Sequence, residues 1–267
     1  LAKLHEIDGV SGKDLVISNS DEASKAQNEL ESLKYKVNSV KSSTRKTKPR
    51  PPLTTSSLQQ DASSRLRLSP SRTMSLSQQL FQGINLGSGE EGLITYMRTD
   101  STALSSESLN EIGNFIQNSY GDDYFAQRKY KTTSANAQEA HEAIRPTSIN
   151  RTPESIKSFL DDDQYKLYDL IWKRTVSSQM SESENKKTTI ITISSDEKYK
   201  FKSDYDELVF DGFKKLFPEK ETEKMPNVSE NDLVNLESIV KEQKFTQHPP
   251  RYSEASLIKT MEDLGVG

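Results

Sequence analysis

The sequence predicts an α+β protein in which a β-rich domain, split into two segments, is interrupted by a mainly helical insert. Residues 1–55 and 183–252 carry β-branched and aromatic side chains at strand-like spacing. Residues 56–182 repeat apolar side chains at helical spacing, behind residue types that cap helices. Residues 253–267 open with a capping serine and are expected to begin a further domain.

The N-terminal segment predicts a strand, a turn, a helix and a second strand. Asp8 and Gly9 form a turn signal, and Asn19 is placed to cap the helix. Strand-like spacing follows over residues 35–40. The prolines at 51–52 exclude helix and ladder pairing, so the first β-rich segment is expected to end there.

The middle of the chain carries the clearest helix boundaries. Ser105 predicts a helix start and Gly121 its end, and Thr152 precedes a proline at a first helical position. A longer helix is predicted over residues 165–176. Its Trp172 is read as a core anchor rather than a base-stacking platform.

Strand signals return after the helical part. Residues 188–193 read TTIITI, a β-branched run, and apolar positions between 199 and 210 fit further strands. Ser253 is then placed to cap a last helix.

Composition limits the class of protein. The chain has no cysteine, which excludes disulfides and thiolate metal sites and is typical of a reducing cytoplasm. No run approaches the roughly 18 apolar residues of a membrane span, so no membrane partner is expected. Because the chain starts without Met and stops abruptly at residues 265–267, we expect it to be a piece of a longer protein.

The charge distribution leaves two interpretations open. The net charge of −4 argues weakly against nucleic-acid binding. Residues 34–60 nevertheless carry only basic charges: Lys34, Lys36, Lys41, Arg45, Lys46, Lys48 and Arg50. They form either a solvated strand with a basic linker or an electrostatic track for DNA.

The most specific pattern lies in residues 92–101, which read GLITYMRTDS. In an extended segment, residues i and i+2 share a face, so Tyr96 and Arg98 can address one phosphate together. A guanidinium matches phosphate bidentately and stabilises charge developing on its oxygens. By itself this pair is weak evidence, since most tyrosines are core or interface residues. The preceding glycines predict a turn into this segment.

Four segments together resemble the bacterial DNA topoisomerase I family, a type IA family. They are GLITYMRTDS, AQEAHEAIRPT at residues 137–147, PLTTSSLQQ at 52–60 with RTM at 72–74, and QHPPRYSEASL at 247–257. Met97 and Arg145 are typical of this branch, whereas the topoisomerase III branch usually has proline after the tyrosine and Ile-Pro-Thr at the second place. The resemblance implies two parts of the arch of a toroidal enzyme.

The resemblance also implies roles for individual residues. Tyr96 would form a 5′-phosphotyrosine intermediate on single-stranded DNA, with Arg98 and His141 beside the phosphate. If residues 139–145 are helical, His141 and Arg145 are i and i+4 neighbours, a possible phosphate clamp. Four residues are expected to hold the strand and orient Arg98: Thr95, Thr99, Asp100 and Ser101. Five are expected to contact DNA: Arg145, Lys46, Lys48, Arg50 and Arg72.

The resemblance places the catalytic Mg²⁺ of the full-length enzyme outside this chain. No Asp-x-Asp-x-Asp occurs here, and the acidic run at 161–163 is expected to start a helix. The implied partners are single-stranded DNA, an N-terminal metal-binding domain and a following domain of the same polypeptide. We therefore expect the chain alone to be inactive, and the whole enzyme to act in the cytoplasm on the bacterial nucleoid.

Two other functions remain as alternatives. One is a non-catalytic module that binds single-stranded DNA through basic and aromatic side chains. The other is a helical interaction domain with an incidental tyrosine motif. For the enzyme hypothesis, the prolines at 51–52 and the region near Ser181 are the candidate hinges of a gate.

Overall fold

The computed structural model describes residues 1–130, 142–218 and 223–266. The chain divides into two compact units. The sheet unit comprises Leu1–Lys46, Ser183–Phe210 and Glu219–Pro249, and the helical unit comprises Thr47–Glu182, Asp211–Pro218 and Pro250–Gly267. The mixed α+β class is thereby confirmed.

The described residues form strands and helices with the following bounds. The strands are β1 (Lys3–Ile7), β2 (Val10–Ser11), β3 (Tyr35–Thr47), β4 (Ile84–Asn85), β5 (Glu90–Glu91), β6 (Ser183–Ser194), β7 (Tyr199–Phe210) and β8 (Leu233–Val234). The α-helices are α1 (Ser20–Glu31), α2 (Thr55–Asp61), α3 (Pro70–Gln82), α4 (Ser106–Tyr120), α5 (Pro153–Ile156), α6 (Asp162–Ser178) and α7 (Glu254–Asp263).

The sheet unit is built on a six-stranded sheet in the order β2-β1-β7-β6-β3-β8. The long β6–β7 hairpin is antiparallel and pairs Ile190 with Ser203. Its small core forms around Leu30, Tyr35 and Tyr199. The Tyr35 hydroxyl donates to the Leu30 carbonyl at 2.6 Å, which fastens α1 to β3.

Local signals in this unit are confirmed. Asp8 and Gly9 both have positive φ, as expected of a tight turn between β1 and β2. The Asn19 side chain accepts from the Glu22 amide at 2.9 Å and caps α1. The run over residues 188–193 lies inside β6.

The helical unit packs around α6. Trp172 of α6 is 4% exposed, and its ring lies edge-on to Phe115 with centroids 5.3 Å apart. Its indole nitrogen donates to the Ile149 carbonyl at 2.9 Å. Trp172 is therefore the core anchor that the sequence predicts.

The predicted helix ends are also confirmed in this unit. Ser105 accepts from the Ser108 amide and caps α4, which stops at Gly121. Asp161 caps α6 in a reciprocal pair with Gln164, so the acidic run starts a helix as expected. Thr152 precedes α5, but its side chain makes no capping bond there.

The units divide the chain at different places from the predicted domains 1–55, 56–182, 183–252 and 253–267. Residues 47–55 belong to the helical unit because Leu53 is fully buried in the helical core. Leu216 joins the same core, which brings residues 211–218 with it. The segment after residue 250 also joins this unit, where Glu262 of α7 accepts from Ser56 of α2 at 2.8 Å.

Within the described ranges, the longest apolar helical stretches fall short of what a membrane crossing requires.

Candidate active site around Tyr96

A short hairpin leads the chain into the tyrosine segment. Helix α3 ends at Gly83, and β4 and β5 then pair across a turn closed by the Leu86 amide and the Gly89 carbonyl at 3.1 Å. Gly92 follows, and a Cβ there would lie 2.7 Å from the Phe81 carbonyl oxygen. Only glycine allows this close approach of the tyrosine segment to the end of α3.

The tyrosine segment alternates between buried and exposed side chains. Leu93, Ile94, Met97, Thr99 and Ser101 are buried. Tyr96 is 51% exposed, and Arg98 and Asp100 are exposed too. The phenol and the guanidinium therefore both lie on the solvent side. Residues 93–101 form no regular strand, and Ile94 makes an isolated β-bridge with Pro146.

Phe81 packs against the exposed phenol. The Phe81 and Tyr96 ring centroids lie 5.4 Å apart and the ring planes are inclined by 64°. Phe81 is the last but one residue of α3 and is 37% exposed. Sequence reasoning did not identify Phe81 as a site residue, because an aromatic residue at a helix end usually belongs to the hydrophobic core.

Thr95 fastens the segment on the N-terminal side of Tyr96. Its hydroxyl donates to the Ala143 carbonyl at 2.7 Å and accepts from the Arg145 amide at 3.0 Å. Its own amide donates to the Arg145 carbonyl at 2.9 Å. The residue before the phenol is thus tied to the chain at 143–145.

Thr55 fastens the segment on the C-terminal side. Its hydroxyl lies 2.8 Å from the Met97 carbonyl oxygen and 3.1 Å from that of Thr99, and it accepts from the Thr99 amide at 2.9 Å. The Thr55 amide also donates to the Thr99 carbonyl. Sequence reasoning missed Thr55, although it lies in the PLTTSSLQQ segment.

The remaining members of the motif continue this hydrogen bonding. The Thr99 hydroxyl accepts from the Ser101 amide at 3.0 Å, and the Ser101 hydroxyl accepts from the Ala103 amide at 3.1 Å. Asp100 is exposed. Thr95, Thr99 and Ser101 therefore hold backbone, and their expected effect on Arg98 stays a prediction, as does that of Asp100.

The second motif differs from the helical arrangement considered above. His141 lies outside the described residues, so its expected place beside the phosphate stays a prediction. Residues 142–147 are not helical, and Ile144 and Pro146 form isolated antiparallel bridges to Leu53 and Ile94. Arg145 is therefore not part of a helix. The i, i+4 pairing with His141 required a helix over residues 139–145, and the described residues of that range do not form one.

Arg145 is occupied by a neighbouring carboxylate. Its guanidinium donates to Glu142 at 2.7 and 3.1 Å. Glu142 also accepts from the Ser105 amide at 2.8 Å. Burial by itself would raise the pKa of Glu142, but the bonds from Ser105 and the charge of Arg145 together hold that pKa below its usual value.

Most of the side chains expected to bind DNA also have acidic neighbours. Lys46 lies 3.6 Å from Glu184, Arg50 lies 3.3 Å from Asp61, and Arg72 lies 2.8 Å from Asp163. Lys48 is exposed. Exposed ion pairs are weak and break at little cost, so Lys46 and Arg72 remain accessible to phosphate. The Arg50 side chain is 67% exposed, although its partner Asp61 is buried.

Comparison with known proteins identifies the family. A family model described as DNA topoisomerase matches residues 4–267, nearly the whole chain. The chain belongs to the bacterial DNA topoisomerase I family. The resemblance carried by the four sequence segments is thereby confirmed.

Named relatives agree with this family. The chain is 40% identical to DNA topoisomerase 1 of Rickettsia bellii over 275 residues, covering all of this chain and 34% of the relative. It is 42% identical to DNA topoisomerase 1 of Helicobacter pylori over 248 residues, covering 92% of this chain and 33% of the relative. The chain thus spans about a third of the length of these topoisomerase I relatives.

A solved topoisomerase I has the same fold. The structure of full-length topoisomerase I from Thermotoga maritima matches with a TM-score of 0.82 and 35% identity, covering 100% of this chain and 42% of that one. In the described part of this topoisomerase I family member, no three His, Cys, Asp or Glu residues come together as metal ligands would.

Proposed function

We propose that this chain supplies the cleavage tyrosine of a type IA DNA topoisomerase, which relaxes negatively supercoiled DNA by breaking one strand and passing another. The Tyr96 oxygen forms a bond to a backbone phosphorus, and the bond from that phosphorus to the 3′ oxygen breaks. The phenol proton is lost, the 3′ oxygen gains a proton, and the strand remains attached as a 5′-phosphotyrosine. The reverse reaction reseals the strand.

The observation that carries this proposal is an exposed phenol two residues from an exposed guanidinium, in a segment fastened on both sides. A neutral phenol is a weak nucleophile and needs a group that stabilises the charge developing as it attacks. Arg98 favours the charged phosphorane-like state by offering two parallel donors to the phosphate oxygens. Since one phosphodiester replaces another, the covalent intermediate conserves bond energy and needs no ATP.

The other parts of the reaction lie outside the described residues. We propose that His141 approaches the scissile phosphate, and that the Mg²⁺ ligands belong to another domain of the same polypeptide. The partner is a single-stranded stretch of bacterial DNA, which places the enzyme in the cytoplasm on the nucleoid.

A labelled-strand assay tests the nucleophile. The full polypeptide that contains this sequence is mixed with a 3′-end-labelled single-stranded oligonucleotide and Mg²⁺, and the reaction is stopped in denaturant. We expect the label to migrate with the protein. We expect Tyr96→Phe to abolish that adduct, because no other atom at the site replaces the phenol oxygen.

Tyr252 provides the matched control, since it is the other exposed tyrosine of the chain at 67%. Tyr252→Phe should form the adduct at the normal rate. An adduct that survives in Tyr96→Phe and disappears in Tyr252→Phe would identify Tyr252, and not Tyr96, as the nucleophile. Label that stays free while the oligonucleotide still binds would instead favour a non-catalytic single-strand-binding module.

The 267-residue chain alone gives a separate test. We expect it to leave supercoiled plasmid unrelaxed at any Mg²⁺ concentration, because the proposed metal ligands belong to another domain of the polypeptide. Mg²⁺-dependent relaxation by the purified chain would contradict the proposed division of labour between domains.

A further inference from the structure

We propose that Thr55 is a positioning residue for Arg98, acting through the backbone and not through the substrate. The inference rests on the proposed function, because it concerns the orientation of the guanidinium at the cleavage site. The observation that supports it is that the Thr55 hydroxyl oxygen contacts the peptide units on both sides of Arg98.

The geometry of these contacts defines the direction of the Arg98 side chain. The Met97 carbonyl belongs to the peptide unit before the Arg98 Cα atom, and the Thr99 amide belongs to the unit after it. Both are bonded to the Thr55 hydroxyl, at 2.8 and 2.9 Å. Because peptide units are planar, fixing both units fixes φ and ψ of Arg98 and hence the direction of its Cα–Cβ bond.

The hydroxyl acts as both donor and acceptor in this arrangement. A threonine hydroxyl has one hydrogen to donate and two lone pairs to accept. It donates to the nearer Met97 carbonyl and accepts from the Thr99 amide, while the Thr99 carbonyl takes the Thr55 amide at 2.9 Å. A side chain without the hydroxyl leaves the Met97 carbonyl and the Thr99 amide without this partner.

Thr55 is itself held firmly, which makes it a suitable anchor. It is the first residue of α2, where the amide has no partner within the helix and is available for Thr99. Thr54 and Ser57 cap this helix reciprocally, and Leu58 in its next turn is fully buried. The partly buried Thr55 is therefore carried by a capped helix that packs into the core through Leu58, whereas the Arg98 side chain is exposed.

Exposure makes Arg98 dependent on this backbone support. A long exposed side chain has many rotamers, and a shift of its base by about 1 Å moves the guanidinium off the phosphate. Displacements of that size cost about 10- to 100-fold in rate. We expect Thr55→Val, which keeps the shape and loses the hydroxyl, to slow adduct formation by that factor while oligonucleotide binding changes less than about twofold.

Three variants separate positioning from general damage. Thr55→Ser retains the hydroxyl and should restore the rate to within about threefold of the unmodified enzyme. Thr73→Val removes the hydroxyl of a more deeply buried threonine, which bonds the Ser69 carbonyl at 2.9 Å within α3, and should leave the rate unchanged. If Thr55→Val does not fold, Thr55→Ala carries the same test. All rates are measured at saturating oligonucleotide in the full polypeptide.

A structural readout on the 267-residue chain tests the premise independently of activity. Amide hydrogen exchange at Thr99 should accelerate in Thr55→Val and not in Thr73→Val, because only the former loses the acceptor of that amide. Unchanged exchange would show that the hydroxyl does not hold this peptide unit.

Combining Thr55→Val with a second substitution at Arg98 tests whether Thr55 acts through the guanidinium. In Arg98→Lys, which lacks the planar fork, Thr55→Val should add less than about threefold to the defect. Normal cleavage by Thr55→Val, a Thr55→Ser enzyme as slow as Thr55→Val, or full additivity with Arg98→Lys would overturn the inference. Loss of the Tyr96 adduct reaction in the unmodified enzyme would instead overturn the proposed function.

Discussion

Phe81 and Tyr96 meet edge to face at the surface of the helical unit, with ring centroids 5.4 Å apart. This contact links the end of α3 to the exposed phenol, at the point where Gly92 brings the tyrosine segment against the Phe81 carbonyl. The proposed nucleophile, Tyr96, is thus exposed to solvent on one side and restrained by a ring on another. Such a contact restricts the rotamers of an exposed tyrosine.

Removing the Phe81 ring should slow cleavage without abolishing it. An aromatic pair of this geometry contributes about 0.5–1.5 kcal/mol, which corresponds to roughly 2- to 12-fold in rate. We expect Phe81→Ala to lower the adduct rate by that factor and Phe81→Tyr to preserve it. Phe159→Ala, at a phenylalanine of similar exposure (43%), is the control. Equal rates in Phe81→Ala and Phe159→Ala would show that the ring contact has no role.

A methyl group at Gly92 should disturb the contact between the tyrosine segment and the end of α3, acting through the backbone. The Cβ of Gly92→Ala would lie 2.7 Å from a carbonyl oxygen, so α3 or the tyrosine segment must shift. We expect a loss of about 1–3 kcal/mol in the free energy of unfolding, measured by urea titration.

Gly113→Ala is the matched control for Gly92. Its Cβ would meet the Phe125 ring at 2.9 Å, and a ring end moves more easily than backbone. Gly113 lies inside α4, where alanine is favoured over glycine by up to about 1 kcal/mol. Comparable losses in both variants would contradict the argument from the carbonyl contact.

The features predicted correctly from the sequence are those that depend on neighbouring residues. The caps at Asn19, Ser105 and Asp161 each bind an amide three residues away, so the pattern and the contact lie in the same few residues. The place of Trp172 follows from the apolar stripe of one helix. The same reasoning puts Tyr96 and Arg98 on one side of their segment.

The features missed depend on contacts between distant parts of the chain. Thr55 reaches Met97, 42 residues away, and nothing in the sequence near Thr55 marks that contact. The sequence left open whether residues 139–145 are helical, and the described part of that range is not, because partners at 53 and 94 bridge to Ile144 and Pro146. The acidic neighbour of Arg72 at Asp163 is likewise 91 residues away.

The buried pair of Asp61 and Arg174 should matter far more to stability than an exposed one. Both residues are 5% exposed, and their side chains form an ion pair in which Asp61 also accepts from Arg50 at 3.3 Å. Burial lowers the pKa of Arg174, and the charge of Asp61 opposes that effect. Asp61→Asn leaves a buried guanidinium without its counter-charge, at a cost of about 3–5 kcal/mol.

The exposed pair of Arg72 and Asp163 provides the comparison, since its side chains are 46% and 37% exposed. Asp163→Asn should cost less than about 1 kcal/mol. Chemical denaturation of both variants at neutral pH measures the difference. A similar small loss in Asp61→Asn would mean that solvent reaches the Arg174 guanidinium and that the pair is not structurally important.

The ion pair between Glu142 and Arg145 should make the free energy of unfolding depend on pH in the acidic range. Because the pKa of Glu142 is lowered in the folded protein, its contribution is complete above the unfolded value of about 4.3 and is lost as pH falls through the folded value. We expect Glu142→Gln to cost about 1 kcal/mol at pH 7, allowing for a carboxylate side chain that is 30% exposed. At pH 3 the difference from the unmodified chain should shrink towards zero.

Glu237→Gln, at an exposed carboxylate, is the control and should show little difference at either pH. A Glu142→Gln deficit that stays constant between pH 7 and pH 3 would mean that the carboxylate acts by packing and not by charge.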